Sequence, residues 1–152
     1  YVISDDEETD IVFIATGSEV NLALEAAKIL RESGVGVRVV SMPSQELFLE
    51  QDYDYQDSVL PPDCMCYVSI EAGSTFGWHR FIGRDGLAIG LDHFGASAPY
   101  KVLAKEFGFT PEGVIERIKD HFICSEEDDD CGCGCEDDDC GCGDCGCEHD
   151  HK

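Results

Sequence analysis

A run of five apolar residues near the start of the chain constrains the fold most. Residues 11–15 read IVFIA, a stretch too short for a free helix and rich in β-branched side chains. Such a run is typical of a strand buried on both faces, as strands of parallel sheets are. From Val20 to Leu30 the apolar residues recur with helical spacing, and Gly34 then supplies a stop. A second apolar run at 35–40 completes a strand–helix–strand unit, for which a right-handed crossover is expected.

The turn between this strand and its helix reads Thr16, Gly17 and Ser18. Ser18 is the expected N-cap, and the free N–H groups and dipole of a helix N-terminus favour an anion. The turn holds one glycine and matches neither G-x-x-x-x-G-K-[ST] nor G-x-G-x-x-G, so it is not a phosphate loop. An ordinary strand-to-helix turn and a small-anion site both stay open.

The rest of the body alternates helices and strands. The predicted elements are a helix capped by Ser44 and ending near Glu50, a helical turn at 52–58, a strand at 64–70, a helix at 76–82, a strand at 87–91, a helix capped by Ser97 and ending at Phe107, and a helix opened by Thr110 and Pro111. This alternation predicts one three-layer α/β/α domain over residues 10–123, with a mostly parallel sheet of about five strands. Residues 1–9 are expected to form an extended linker.

Acidic residues greatly outnumber basic ones. The chain has 33 Asp and Glu against 10 Lys and Arg, which gives a formal net charge of −23. Phosphate binding needs a positive field, so we expect neither nucleic acid nor an anionic membrane as a partner. No apolar run approaches the roughly 18 residues of a membrane span. The body holds few of the ten cysteines, which fits a reducing compartment and predicts a cytoplasmic location.

The tail, residues 124–152, follows a different pattern. From Ser125 onward it contains no Leu, Ile, Val or aromatic residue, so we expect it to be disordered unless a ligand organises it. Its C-x-C pairs and closing H-x-H offer soft ligands suited to Zn²⁺, Cu(I) or Cd²⁺. The predicted metal ligands are Cys131, Cys133, Cys135, Cys140, Cys142, Cys145, Cys147, His149 and His151. The alternative is a solvated acidic tail whose thiols oxidise or scavenge.

Several blocks of the body, in order and at matching spacing, resemble the C-terminal domain of transketolase over about residues 10–122. The blocks are ATGSEVNLALEAAKIL, VRVVSMPSQELFLEQD, SVLPPD, SIEAGSTFGWHRFIG and HFGASAPYKVLAKEFGFTPEGVIERI. The related domains of deoxyxylulose-phosphate synthase and of 2-oxoacid dehydrogenase β subunits share the fold and fit the VVSMPS and FG-x-SAP blocks less well. The acidic, cysteine-rich tail is a departure from the transketolase family.

The resemblance implies part of a homodimeric enzyme that depends on thiamine diphosphate and moves two-carbon ketol units between sugar phosphates. In that family the cofactor, its Mg²⁺ and the catalytic histidines belong to the first two domains. The resemblance therefore carries no catalytic or cofactor-binding residue onto this chain, and the implied partners are the amino-terminal transketolase domains. On this basis the chain alone is not expected to be active.

Open α/β sheets place ligands at the carboxyl ends of their strands. Glu71 and Ser74 follow the predicted third strand there, and with Thr16, Gly17 and Ser18 they are candidates for a small-anion site. Capping of the sheet and contact with neighbouring domains is the alternative. Three functions stay open: the C-terminal part of a transketolase, a stand-alone binding protein with a metal-sequestering tail, and a regulatory module for a small anion.

Overall fold

The computed structural model describes residues 1–122, which form a five-stranded sheet with helices on both faces. Its elements are β1 (Val2–Ser4), β2 (Ile11–Ala15), α1 (Glu19–Glu32), β3 (Val37–Ser41), α2 (Gln45–Leu49), α3 (Tyr53–Val59), β4 (Cys66–Ile70), α4 (His79–Ile82), β5 (Leu87–Ile89), α5 (Tyr100–Glu106) and α6 (Pro111–Phe122). The strand order is β1-β3-β2-β4-β5, and only the β1–β3 pair is antiparallel. The predicted three-layer α/β domain with a mostly parallel sheet is confirmed.

The apolar run at 11–15 becomes β2, the central strand of the sheet. All five of its residues are buried, and it pairs in parallel with β3 on one side and β4 on the other. Because side chains alternate along a strand, Phe13 joins the core beneath α1 and α6, while Ile14 joins the core beneath α2, α3 and α4. Two hydrophobic cores therefore lie on opposite faces of one sheet.

Helix α1 covers the first core with small side chains. Its buried residues are Ala23, Ala26, Ala27 and Leu30. Gly34 ends the helix in the left-handed region at φ +84°, and its N–H donates to the Arg31 carbonyl at 2.9 Å. The Val35 N–H donates to the Leu30 carbonyl at 3.1 Å, which completes a Schellman-type end. The predicted stop at Gly34 is confirmed.

Two predicted caps are wrong. Ser18 has helical backbone angles and makes no capping bond, and its hydroxyl instead donates to the Glu19 carboxylate at 2.7 Å. Ser97 does not cap α5. Ala98 precedes Pro99 and therefore disfavours the helical region, so α5 begins only after Pro99. The helix expected at 76–82 shortens to α4, since Gly77 takes a positive φ of 92° and interrupts it.

The expected linker over residues 1–9 is corrected by β1, which extends the sheet beyond β3. Asp5 and Asp6 fix this segment in place. Arg38 binds both carboxylate oxygens of Asp5: its Nε donates to Oδ1 at 2.8 Å and its Nη2 donates to Oδ2 at 2.7 Å. Asp6 accepts from Arg31 Nε at 2.6 Å and from the Val37 N–H at 2.8 Å. Part of the acidic surface therefore holds the amino-terminal segment against β3.

These contacts predict an acid-sensitive attachment of β1. Hydrogen bonds from Arg38 and Arg31 hold the pKa values of Asp5 and Asp6 below their usual range. A carboxyl whose pKa is lowered in the folded state stabilises the fold above its unfolded pKa, near 4, and loses that effect as the pH falls through its folded pKa. We expect the double variant Asp5→Asn/Asp6→Asn to melt at a lower temperature than the parent at pH 7, and the difference to shrink below about pH 4.

Thermal unfolding followed by circular dichroism at several pH values measures this effect. Glu7→Gln/Glu8→Gln is a matched control, since it removes the same charge from the same segment. Neither of these two side chains forms a hydrogen bond within residues 1–122. Equal melting temperatures for the two double variants at pH 7 would show that Asp5 and Asp6 do not hold β1.

No helix within residues 1–122 is both long enough and apolar enough to cross a bilayer.

Candidate functional site

The carboxyl edge of the parallel strands gathers the loops that follow β2, β3, β4 and β5. Ala15 of β2 pairs with Ile70 of β4, and Ile70 pairs in turn with Ile89 of β5. The residues just beyond these positions therefore emerge side by side. This is the edge at which open α/β sheets bind ligands, so it is the candidate functional site.

Asp92 ties the loop after β4 to the loop after β5. Its carboxylate accepts three hydrogen bonds, from Ser74 Oγ at 3.0 Å, from the Thr75 N–H at 2.9 Å and from Thr75 Oγ1 at 2.6 Å. The bonds from Thr75, followed by that from Ser74, hold the pKa of Asp92 below its usual value. The Leu91 N–H also donates to the Gly73 carbonyl at 2.7 Å. The two loops therefore form one connected unit.

The residues predicted for a small anion all lie at this edge. Thr16 and Glu71 directly follow the paired strands β2 and β4, and Gly17 turns the chain into α1 with φ +52°. The hydroxyl of Ser18 already donates to a carboxylate, as does that of Ser74. An anion would have to bind mainly through backbone N–H groups, against neighbouring negative charge. The small-anion site stays a prediction.

Aromatic residues give this edge an apolar surface. Phe94 is 100% exposed and Phe76 is 92% exposed, and each lies on one of the two loops that Asp92 joins. A groove of about 220 Å³ lies between the start of α1 and α5, and Gly95, the residue after Phe94, is part of its lining. Its apolar lining includes Leu22, Ala72, Leu91, Tyr100, Leu103 and Phe107.

Sequence reasoning missed both Asp92 and the exposed aromatic residues. An aspartate just beyond a predicted strand is a common side-chain acceptor for turn N–H groups, so the signal for Asp92 was present. The exposure of Phe76 and Phe94 carries no comparable signal, because large apolar side chains are generally expected to be buried.

The nine predicted metal ligands, from Cys131 to His151, lie outside the described residues. Within residues 1–122 no group of three or more His, Cys, Asp or Glu side chains is placed to hold a metal ion. The two cysteines of the body belong to the packing. Cys64 is buried, and its Sγ donates to the Asp10 carbonyl at 3.4 Å. Cys66 is half-buried, and burial raises the pKa of its thiol.

The fold and this site define an open, mostly parallel α/β domain with connected loops and an apolar surface at the carboxyl edge of its sheet. Within that class, the chain belongs to the family of transketolase-like C-terminal domains. The family model, described as the transketolase-like TK C-terminal domain, matches residues 1–110. The match includes β1, in agreement with the correction at residues 1–9.

Curated relatives agree with this assignment. A chloroplastic transketolase from Craterostigma plantagineum is 51% identical over 123 residues, which are 79% of this chain and 24% of the relative. The transketolase of Aquifex aeolicus is 50% identical over 119 residues, 78% of this chain and 17% of the relative. The chain therefore spans about a quarter or less of the length of the relatives it matches.

Solved structures show the same correspondence. A transketolase mutant from Pichia stipitis superposes with a TM-score of 0.74 at 41% identity, covering 80% of this chain and 17% of that one. Transketolase from Leishmania mexicana gives a TM-score of 0.72 at 43% identity, again with 80% and 17% coverage. The resemblance to the C-terminal domain of transketolase that the sequence blocks carry is confirmed.

Proposed function

We propose that this chain acts as the C-terminal domain of a homodimeric transketolase that uses thiamine diphosphate and Mg²⁺ to move two-carbon ketol units between sugar phosphates. The observation that supports this most strongly is identity of about 50% to several transketolases over most of the described residues. In this proposal the domain contributes docking and dimer stability, and the amino-terminal domains contribute the catalytic groups.

The carboxyl edge of this domain does not fit thiamine diphosphate. A diphosphate group is bound by cationic side chains or by N–H groups in a positive field. Glu19, Glu71 and Asp92 instead bring negative charge to this edge. We therefore assign no residue of this chain to the cofactor.

Reconstitution tests the proposed function. The 152-residue chain is mixed with the amino-terminal portion of the Craterostigma plantagineum transketolase, together with thiamine diphosphate, Mg²⁺, a ketose phosphate donor and an aldose phosphate acceptor. We expect ketol transfer and a stable complex from the mixture, and no turnover from the chain alone. The relative's own C-terminal domain, added in place of the chain, is the positive control. Turnover by the chain alone, or failure where the control succeeds, would contradict the proposal.

The location of the chain also remains a proposal. The low cysteine content of the body is typical of proteins in reducing compartments and supports a cytoplasmic location. The Craterostigma plantagineum relative is described as chloroplastic.

We further propose, from the sequence, that the tail binds about two Zn²⁺ or Cu(I) ions through its C-x-C thiolates and H-x-H imidazoles. Soft ligands at close spacing support this proposal. Elemental analysis of anaerobically purified chain is expected to give this stoichiometry, and a variant that ends at Phe122 is the matched control. Equal metal content in the two proteins would refute metal binding by the tail.

A further inference from the structure

Ser4 is distinguished from most serines of the chain by the residues that follow it. The four residues directly after it are all acidic: Asp5, Asp6, Glu7 and Glu8. A protein that selects this stretch by charge needs a basic groove, and protein kinases use such charge patterns to select their substrates. Ser125, outside the described residues, is the other serine that precedes an unbroken run of at least four acids.

The place of Ser4 in the sheet makes its hydroxyl accessible to an enzyme. Within the described residues β1 is the outermost strand, so one edge of its backbone has no neighbouring strand. The pairing of β1 with β3 is also irregular, since Val2 lies opposite Val40 and Ser4 lies opposite Val39. Short outer segments of this kind open locally at a lower free energy than the central strands of a sheet. Ser4 itself is half-buried and is followed by the exposed Asp5.

Arg31 binds the side chain of Ser4. Its Nη2 donates to Ser4 Oγ at 2.8 Å and to the Val37 carbonyl at 2.6 Å. Its Nε donates to the Asp6 carboxylate at 2.6 Å, and that carboxylate also accepts from the Val37 N–H at 2.8 Å. One guanidinium group therefore connects β1, the acidic run and the first residue of β3.

A phosphate on Ser4 would disturb this arrangement. It carries a charge of about −1.5 to −2 at pH 7, and it binds arginine more strongly than a neutral hydroxyl does. Residues 5–10 already contain five carboxylates, which are paired with only two arginines, Arg31 and Arg38. The added charge would repel this acidic run. Any pairing of Arg31 with the phosphate would also withdraw its guanidinium from Asp6 and Val37.

We propose that Ser4 is a phosphorylation site for a serine kinase with a basic substrate groove, and that the phosphate releases β1 from β3. In the transfer, Ser4 Oγ attacks the γ-phosphorus of ATP. The new Oγ–P bond forms as the bond between the γ-phosphorus and the β,γ-bridging oxygen breaks, and ADP leaves with that electron pair. The hydroxyl proton passes to the catalytic base of the kinase.

Phosphate incorporation tests the modification site. The folded 152-residue chain carrying Ser125→Ala is incubated with casein kinase II, ATP and Mg²⁺, and mass spectrometry locates the phosphate. We expect Ser4 to be the main site, and the Ser4→Ala/Ser125→Ala variant to lose most of the incorporation. A peptide of residues 1–10 is the control for recognition of the sequence alone. Incorporation into the peptide but not into the folded chain, or into neither, would overturn the proposal.

Amide hydrogen exchange, resolved by residue with NMR, tests the release of β1. The reporters are the Val37 amide, which donates to the Asp6 carboxylate, and the Ser41 amide, which donates to the Tyr1 carbonyl at 2.9 Å. We expect both amides to exchange at least about tenfold faster after phosphorylation of the Ser125→Ala chain, while the amides of β2 keep their rates.

Ser4→Ala is the matched control, because it removes the bond to Arg31 without adding charge. Arg31 keeps its bonds to Asp6 and Val37 in this variant, so we expect the two reporter amides to stay within about threefold of the parent rates. Equal acceleration by Ser4→Ala and by the phosphate would show that the added charge is not what loosens β1. Unchanged or slower exchange after phosphorylation would show that Arg31 binds the phosphate in place. Either result would overturn the release of β1, and neither measurement depends on ketol transfer.

Discussion

Replacing Phe13 by alanine is expected to lower the free energy of unfolding by about 3–5 kcal/mol. Phe13 lies in the central strand and is fully buried, with Val39 and Val68 as its in-register neighbours on either side. The substitution removes a phenyl ring from a packed core, and the core can close the resulting cavity only in part because strands flank it on both sides. A single domain has a total stability of about 5–15 kcal/mol, so this loss would leave the fold marginal.

Urea unfolding of the free chain, followed by circular dichroism, measures this change. Phe76→Ala is the matched control, because the same ring is removed from a side chain that is 92% exposed. We expect the control to change the unfolding free energy by no more than about 0.5 kcal/mol. Similar losses for both variants would contradict the position of β2 at the centre of the sheet.

Gly36→Ala is expected to destabilise the chain by about 1–3 kcal/mol. Gly36 lies just before β3, and its carbonyl accepts from the Asp10 and Ile11 N–H groups at 2.9 and 3.1 Å. A Cβ on Gly36 would overlap the carbonyl oxygen of Glu8. The backbone of the amino-terminal segment would have to move, since the clash involves no flexible side chain. The entry into β2 would move with it.

Gly95→Ala is the control for this substitution. Gly95 has no atom within 4 Å of the position that a Cβ would take. We expect its unfolding free energy to stay within about 0.5 kcal/mol of the parent in the same urea titration. A neutral Gly36→Ala variant would show that residues 1–9 do not pack against β3 as the structure has them.

The sequence was sufficient to predict the elements whose signals are local. The apolar run at 11–15 specifies β2, and the helical spacing up to Leu30 specifies α1. Predicted caps at Ser44 and Thr110 are confirmed, with the Ser44 hydroxyl accepting from the Leu47 N–H at 3.2 Å and the Thr110 hydroxyl from the Gly113 N–H at 3.1 Å. In each case, the residues that decide the structure lie within a few positions of one another.

The sequence did not predict the features whose structure depends on residues far apart in the chain. Val2–Ser4 is too short to be identified as a strand by alternation, and its pairing depends on β3, more than thirty residues away. The role of Asp92 likewise depends on the loop that contains Thr75. At the candidate site, the sequence located the correct edge of the sheet because parallel strands share one. It did not indicate that two of the predicted hydroxyls are already bonded to carboxylates.

The two outer strands of the sheet have a consequence for solubility. β1 and β5 are each three residues long, whereas the inner strands have five. A sheet edge with so few unpaired backbone groups is a poor template for strand addition by another molecule. The short outer strands therefore limit strand-by-strand assembly through the sides of the sheet, although the inner strands are strongly apolar.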